Sequence, residues 1–187
     1  EVPEVYESMV SQPGFWDLAA EGGKRALVLD ELARRLKGFC PTAVLYHKRS
    51  RLPEHAEQDL GITYAPMEQV VAESDTLCML LPYYPETDML LDAGLLSTMK
   101  AGSFLVSCGS GSVIDEEALA NAVREGRLAG AALDVFETEP VTAASGAHFA
   151  GIGNLVLTPH IAGVTQESNV RVSAVTAENV RKVLNQQ

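Results

Sequence analysis

The chain has 187 residues, 47% of them hydrophobic, which is enough for one substantial core and too many for a chain that stays disordered. Its formal net charge is −11, from 25 acidic and 14 basic residues, so its long-range field opposes nucleic acid and anionic membranes and leaves small molecules or proteins as partners. No apolar run approaches the ~20 residues of a membrane span, no basic-then-apolar leader opens the chain, and Cys40, Cys78 and Cys108 lack any C-x-x-C spacing, which argues against a disulfide framework and against a metal site. These features predict a soluble, cytoplasmic protein with reduced thiols. The first residue is Glu1 and not methionine, as in a processed product or a piece of a longer chain.

Taken in chain order, Val2, Val5, Tyr6, Met9 and Val10 share one helical face and Pro13-Gly14 ends the pattern, which predicts a short amphipathic helix. From Lys24 onward short apolar runs alternate with helical patterns. "RALVL" precedes "DELARRLKGF"; "TAVLY" and "PMEQVVAES" follow, then "TLCMLLP", "AGLLSTM", "SFLVS", "DEEALANAVREG", "AGAALDVF" and "NLVLTP". Strand alternating with helix predicts an α/β fold, a doubly wound parallel sheet covered on both faces. Asp30 and Asp115 are placed to cap helix starts, and Gly38 and Gly126 to end helices in the left-handed conformation. Between Thr138 and Asn154 lies a loop too long for a connector. The segment after it, with Val170, Val172, Val175, Val180, Val183 and Leu184, predicts a closing amphipathic helix.

In an open parallel sheet, ligands bind at the carboxyl ends of the strands. Four places qualify. Cys108-Gly109-Ser110-Gly111-Ser112, after "SFLVS", are small residues that let backbone approach a ligand; Asp134 ends "AGAAL"; Glu139-Pro140 lies beyond it; Thr158-Pro159-His160 follow "NLVL". Singly, each is explained by a tight turn, a capping acid, an exposed carboxylate or a satisfied histidine. Together, on one side of one sheet, His160 and Glu139 make a candidate proton-transfer pair, the carboxylate fixing the imidazole's tautomer.

The text "SVIDEEALANAVREGRLAGAALDVFETEP", followed by "NLVLTPHIAG", resembles the D-isomer-specific 2-hydroxyacid dehydrogenases, nearest the glyoxylate/hydroxypyruvate reductase branch, from about Gly23 to the C-terminus. The resemblance implies a Rossmann-like dinucleotide-binding domain over 23–160, with residues 1–22 and 161–187 as flanking helices that lead to and from a substrate domain. It further implies that His160 donates a proton to a keto oxygen while NAD(P)H delivers hydride, that Glu139 pairs with His160, and that Asp134, Pro82 and Gly163 lie along the cofactor with Cys108, Gly109 and Ser110. The substrate would be a small 2-keto or 2-hydroxy acid. At the end of the second strand, where NAD-dependent members carry an acid for the ribose 2′-hydroxyl, this chain has Lys48-Arg49-Ser50-Arg51. Three cations and a hydroxyl suit a 2′-phosphate, so NADP(H) is favoured over NAD(H).

Three departures from the family pattern stand beside this. Only Asp30 joins "RALVL" to "ELARRLKGF", where the family has a G-x-G-x-x-G loop for the pyrophosphate. Ser110 occupies the position of the family's catalytic arginine and lacks a charge to grip a substrate carboxylate. The family's additional substrate domain is not in this sequence. Two readings follow: an oxidoreductase whose turnover is impaired in this chain, or a non-catalytic dinucleotide-sensing or interaction module. Both flanking helices should expose an apolar face, which homodimerisation would cover.

Overall fold

The structure, a computed structural model, describes residues 26–185, so the expected helix around Val5 and Met9 lies outside the described residues. The elements run α1 (Ala26–Leu36), β1 (Leu45–Tyr46), α2 (Glu54–Leu60), β2 (Thr63–Tyr64), α3 (Met67–Glu73), β3 (Thr76–Met79), α4 (Ala93–Thr98), β4 (Phe104–Ser107), α5 (Glu116–Arg124), β5 (Gly130–Leu133), β6 (Leu155–Leu157) and α6 (Gln166–Leu184). All strand pairs are parallel. β1 pairs with β2, and β3, β4, β5 and β6 pair in that order as a four-stranded sheet. The register aligns Leu77 with Leu105, Leu105 with Ala131 and Ala131 with Leu155, a row of aliphatic side chains across the sheet.

The expected parallel α/β architecture is therefore the one the chain adopts, with its strands divided between two sheets instead of one. One expected strand is absent among the described residues: Ala26–Leu29 do not extend into a sheet, and Ala26–Leu36 is a single helix with Asp30 inside it. The reason is local. A strand-to-helix reversal needs a loop, and one aspartate without glycine or proline supplies no break. Leu, Ala, Glu and Arg all favour helix, and Glu31 and Arg35 pair one turn apart. The helix end also differs from expectation. A 3-10 turn over Lys37–Phe39 extends the helix, so the left-handed residue is Cys40, with φ 51°, and not Gly38. Gly126 does adopt the expected left-handed conformation, with φ 72°, and Asp115 caps α5 by accepting from the Ala118 N–H at 2.8 Å.

β3 and β4 bury alternate residues, and β5 buries all but Ala132. Leu77, Met79, Leu105 and Leu133 join a core with Val71, Leu91, Leu96, Ile114, Leu119 and Leu128. α3 packs on α4 and α4 on α5, so consecutive helices cover the face that these side chains share. The chain forms two compact units: Ala43–His160, which holds both sheets, and a second made of the described residues up to Thr42 with those from Ile161 onward. In the second unit α6 starts with a reciprocal cap, in which the Thr165 N–H donates to Ser168 Oγ at 2.8 Å and the Ser168 N–H to Thr165 Oγ1 at 3.0 Å. Val170, Val172, Val180 and Leu184 of α6 are exposed.

Candidate active site

Because β3 to β6 run parallel, the residues following them emerge at one edge of one sheet: Pro82 after β3, Cys108 to Ser112 after β4, Asp134 after β5 and Thr158 to His160 after β6. Backbone hydrogen bonds extend the ladder past the strands and so place these residues. The Cys108 N–H donates to the Met79 carbonyl at 3.2 Å, Asp134 N–H to Ser107 at 3.0 Å, Thr158 N–H to Leu133 at 2.9 Å and His160 N–H to Asp134 at 2.8 Å.

His160 sits in the left-handed region with φ 55°. A histidine held there costs on the order of 1 kcal/mol or more, and such residues concentrate at functional sites. The conformation accompanies the bond to the Asp134 carbonyl and turns the ring to Glu139, whose Oε2 lies 2.8 Å from Nδ1. Glu139 Oε1 accepts from the Phe136 N–H at 3.1 Å. The hydrogen bond from His160 holds the Glu139 carboxyl below its ordinary range, and the Phe136 N–H adds to the effect against partial desolvation. The carboxylate thus fixes the proton of the ring at Nδ1, and Nε2 is the nitrogen left for a substrate. The His160 side chain is 61% exposed.

Asp134 behaves differently from Glu139. It is buried, and its carboxylate accepts from Thr158 Oγ1 at 2.5 Å. With its carbonyl on the His160 N–H, Asp134 fixes the turn that presents the histidine. Ser110 links two strand-end turns: its N–H donates to the Leu81 carbonyl at 2.9 Å and its Oγ accepts from the Tyr83 N–H at 2.8 Å. The neighbouring glycines serve backbone packing. A Cβ on Gly109 would stand 2.4 Å from the Leu81 oxygen, and one on Gly111 2.0 Å from the Phe136 carbonyl carbon. The Cys108 thiol is pushed up to about 11, first by desolvation and then by the Asp134 carboxylate, so it is no nucleophile near neutral pH. Pro82 is half-buried and its carbonyl accepts from Thr87 Oγ1 at 2.8 Å.

At the carboxyl end of β1, the basic cluster divides. Arg51 binds Glu57 through two hydrogen bonds, Nε to Oε1 at 2.8 Å and Nη2 to Oε2 at 2.7 Å, and Glu57 also accepts from the Tyr46 hydroxyl at 2.6 Å. These two donors hold the Glu57 carboxyl down at about 2. Arg49 and Ser50 are exposed and Lys48 is half-buried. Gly163 belongs to the other compact unit, where its carbonyl accepts from Ser168 Oγ at 2.7 Å. An open groove of about 470 Å³ lies between α4 and α5, lined by Leu96, Asp115, Ala118 and Asn121.

One acidic residue that the sequence pattern does not single out is tied to this region. Glu116, the first residue of α5, is buried, accepts from the Glu137 N–H at 2.7 Å and lies 3.3 Å from His148 Nε2. It stands beside Glu117, which is exposed, and spacing alone does not tell the two apart. Among the described residues no group of three or more His, Cys, Asp or Glu side chains is arranged to hold a metal ion, and no helix is long and apolar enough to cross a membrane.

The sequence profile of the D-isomer specific 2-hydroxyacid dehydrogenase, NAD binding domain, matches residues 30–162. The chain is 39% identical over 149 residues to a glyoxylate reductase of Pyrococcus furiosus, covering 80% of this chain and 43% of the relative. It is 45% identical over 115 residues to an (S)-sulfolactate dehydrogenase of Chromohalobacter salexigens, covering 62% of this chain and 37% of the relative. Among solved structures it is similar to a D-lactate dehydrogenase of Aquifex aeolicus complexed with NAD and lactic acid, with a TM-score of 0.74 and 26% identity, over 85% of this chain and 51% of that one. The chain thus spans less than half the length of the two curated relatives.

Proposed function

Because the chain belongs to the D-isomer-specific 2-hydroxyacid dehydrogenase family, through its NAD-binding domain, we propose that it is the cofactor-binding part of an oxidoreductase that interconverts a small 2-keto acid and its 2-hydroxy acid. The observation that carries this reading is the His160–Glu139 pair, 2.8 Å apart at the carboxyl edge of the parallel sheet. A nicotinamide dinucleotide, when bound, supplies the hydride. The turn of small residues from Cys108 to Ser112, Pro82 and the exposed imidazole suit its nicotinamide end, whereas no glycine loop stands among the described residues to take its pyrophosphate. His160, protonated on both nitrogens, keeps Nδ1–H on Glu139 and donates from Nε2 to the keto oxygen. The reverse reaction takes the proton back to Nε2. Glyoxylate or hydroxypyruvate is the substrate class favoured, in line with the glyoxylate reductases to which the chain is similar.

Ser110 sets the rate. Its hydroxyl already accepts from the Tyr83 N–H and offers a substrate carboxylate no charge. A lost charge-assisted bidentate contact costs on the order of 2–4 kcal/mol in the transition state, roughly 30- to 1000-fold in rate. We therefore expect slow oxidation of NADPH by either keto acid, a gain of at least tenfold with Ser110→Arg, and loss of that gain when His160→Ala is added. Fast turnover that survives His160→Ala would overturn the assignment. A second reading, a non-catalytic dinucleotide-sensing or interaction module, is favoured by Ser110 and by the missing glycine loop, and is the outcome if Ser110→Arg gains nothing while cofactor still binds.

For the cofactor we favour NADP(H) over NAD(H), on Lys48, Arg49 and Ser50 at the end of β1. Arg51 contributes less to that preference than its charge suggests, since Nε and Nη2 already serve Glu57. Titration by nicotinamide fluorescence should give tighter binding of NADPH than NADH, weakened steeply by salt. Equal affinities would remove the preference. Homodimerisation through the exposed apolar residues of α6 is the association we expect.

A further inference from the structure

Glu139 can hold His160 only if the chain between Asp134 and Glu139 is itself held. The ladder contacts of this segment end at Asp134, which pairs with Ser107 and His160, and residues 135–139 continue beyond them. Two consecutive backbone N–H groups in this stretch each donate to a glutamate: Phe136 N–H to Glu139 Oε1 at 3.1 Å and Glu137 N–H to Glu116 Oε1 at 2.7 Å. Glu116 is buried in the first turn of α5, and its other oxygen lies 3.3 Å from His148 Nε2, within ion-pair range. The turn bearing His148 is secured from both sides. Arg124, at the far end of α5, donates to the His148 carbonyl at 2.5 Å, and Phe149 packs edge-on against Phe136. A buried carboxylate with one oxygen on a main-chain N–H and the other on an imidazole is costly unless both contacts are kept.

We propose that Glu116, seated against His148, is a positioning residue for the Glu139–His160 pair: it clamps the 136–137 peptides so that the Phe136 N–H meets Glu139 and the Glu139 carboxylate meets the His160 ring. The proposal rests on the proton-transfer role given to that pair above. Its chemistry is mechanical. The peptide that serves Glu139 and the peptide that serves Glu116 are adjacent, so releasing one frees the other.

The test reads Glu139 directly. The full chain, labelled with 13C and 15N, is titrated while the Glu139 side-chain carboxyl is followed by carbon NMR, for the unaltered chain, Glu116→Gln, Glu116→Ala and Glu116→Met. Gln keeps an acceptor for the Glu137 N–H and should leave the Glu139 midpoint where it is. Ala removes the acceptor and should raise the midpoint by about half a pH unit, toward the ordinary carboxyl range, as its hydrogen bonds loosen. Met fills the space without a polar atom, and should raise it in the same way if Ala fails to fold. A merely structural Glu116 would lower the unfolding midpoint of the Ala and Met variants and leave the Glu139 titration unmoved, and that result overturns the proposal. Failure of the functional reading looks different, since His160→Ala would then leave the turnover of Ser110→Arg intact whatever the Glu139 carboxyl does.

Discussion

His160 and Glu139 were legible at the level of single residues because strand ends in a parallel sheet are where chemistry collects, and "LTPH" and "ETEP" both follow apolar runs. Arg51 was legible only as a charge. Its partner Glu57 lies on α2, a seven-residue helix after Pro53 that no apolar periodicity announces, so the bidentate pair appears only in three dimensions. That pair carries a pH dependence. Glu57 titrates at about 2 in the folded chain against an ordinary 4.5, held down chiefly by Arg51 and then by the Tyr46 hydroxyl. A carboxyl whose folded value is depressed stabilises the fold fully above its unfolded value and loses that contribution as pH falls through the folded one. Glu57→Gln should therefore be less stable than the unaltered chain in urea at pH 7, with the difference closing between about pH 4.5 and pH 2. A difference that stays constant over that range would show that the Arg51 contact contributes nothing through charge.

Between elements, the glycines of the 108–112 turn have a packing cause that the sequence signal does not show. Small residues after β4 were expected to let a ligand approach, and the structure shows protein backbone already there, from Leu81 beside Gly109 and from Phe136 and Glu137 beside Gly111. Gly111→Ala drives a methyl into the Phe136–Glu137 peptide, which cannot yield without moving Glu139. We expect a loss of about 1–3 kcal/mol in chemical denaturation together with weaker coupling of Glu139 to His160; an unchanged unfolding midpoint would contradict the close approach. Asp115→Ala, by contrast, removes only the cap on α5 and should cost about 0.5–2 kcal/mol without altering the site directly. α5 was readable from both ends, Asp115 and Gly126, because its caps are local. β2, only Thr63 and Tyr64, was not readable, since two residues carry no period. "RALVL" was misread for a related reason: an apolar run of four does not declare its period, and the helical formers that follow it decide the matter.

At the scale of the molecule, the family and the parallel fold were both open to reading from sequence, whereas the division of the strands into two sheets depends on pairing that no local pattern encodes. The exposed valines of α6 give a simple test of association. Sedimentation should show a dimer that Val172→Lys with Val180→Lys converts to monomer, and an unaltered chain that is monomeric would remove the proposed interface. We propose that the carboxyl ends of β3 to β6 receive the nicotinamide end of a dinucleotide beside His160. This is tested most directly by titrating NADPH into the 15N-labelled chain and mapping amide shifts. We expect the largest changes at 81–84, 108–112, 134–139 and 158–160, with His160→Ala retaining them at the other turns. Shifts confined to the groove between α4 and α5, or none at these turns up to millimolar cofactor, would contradict it.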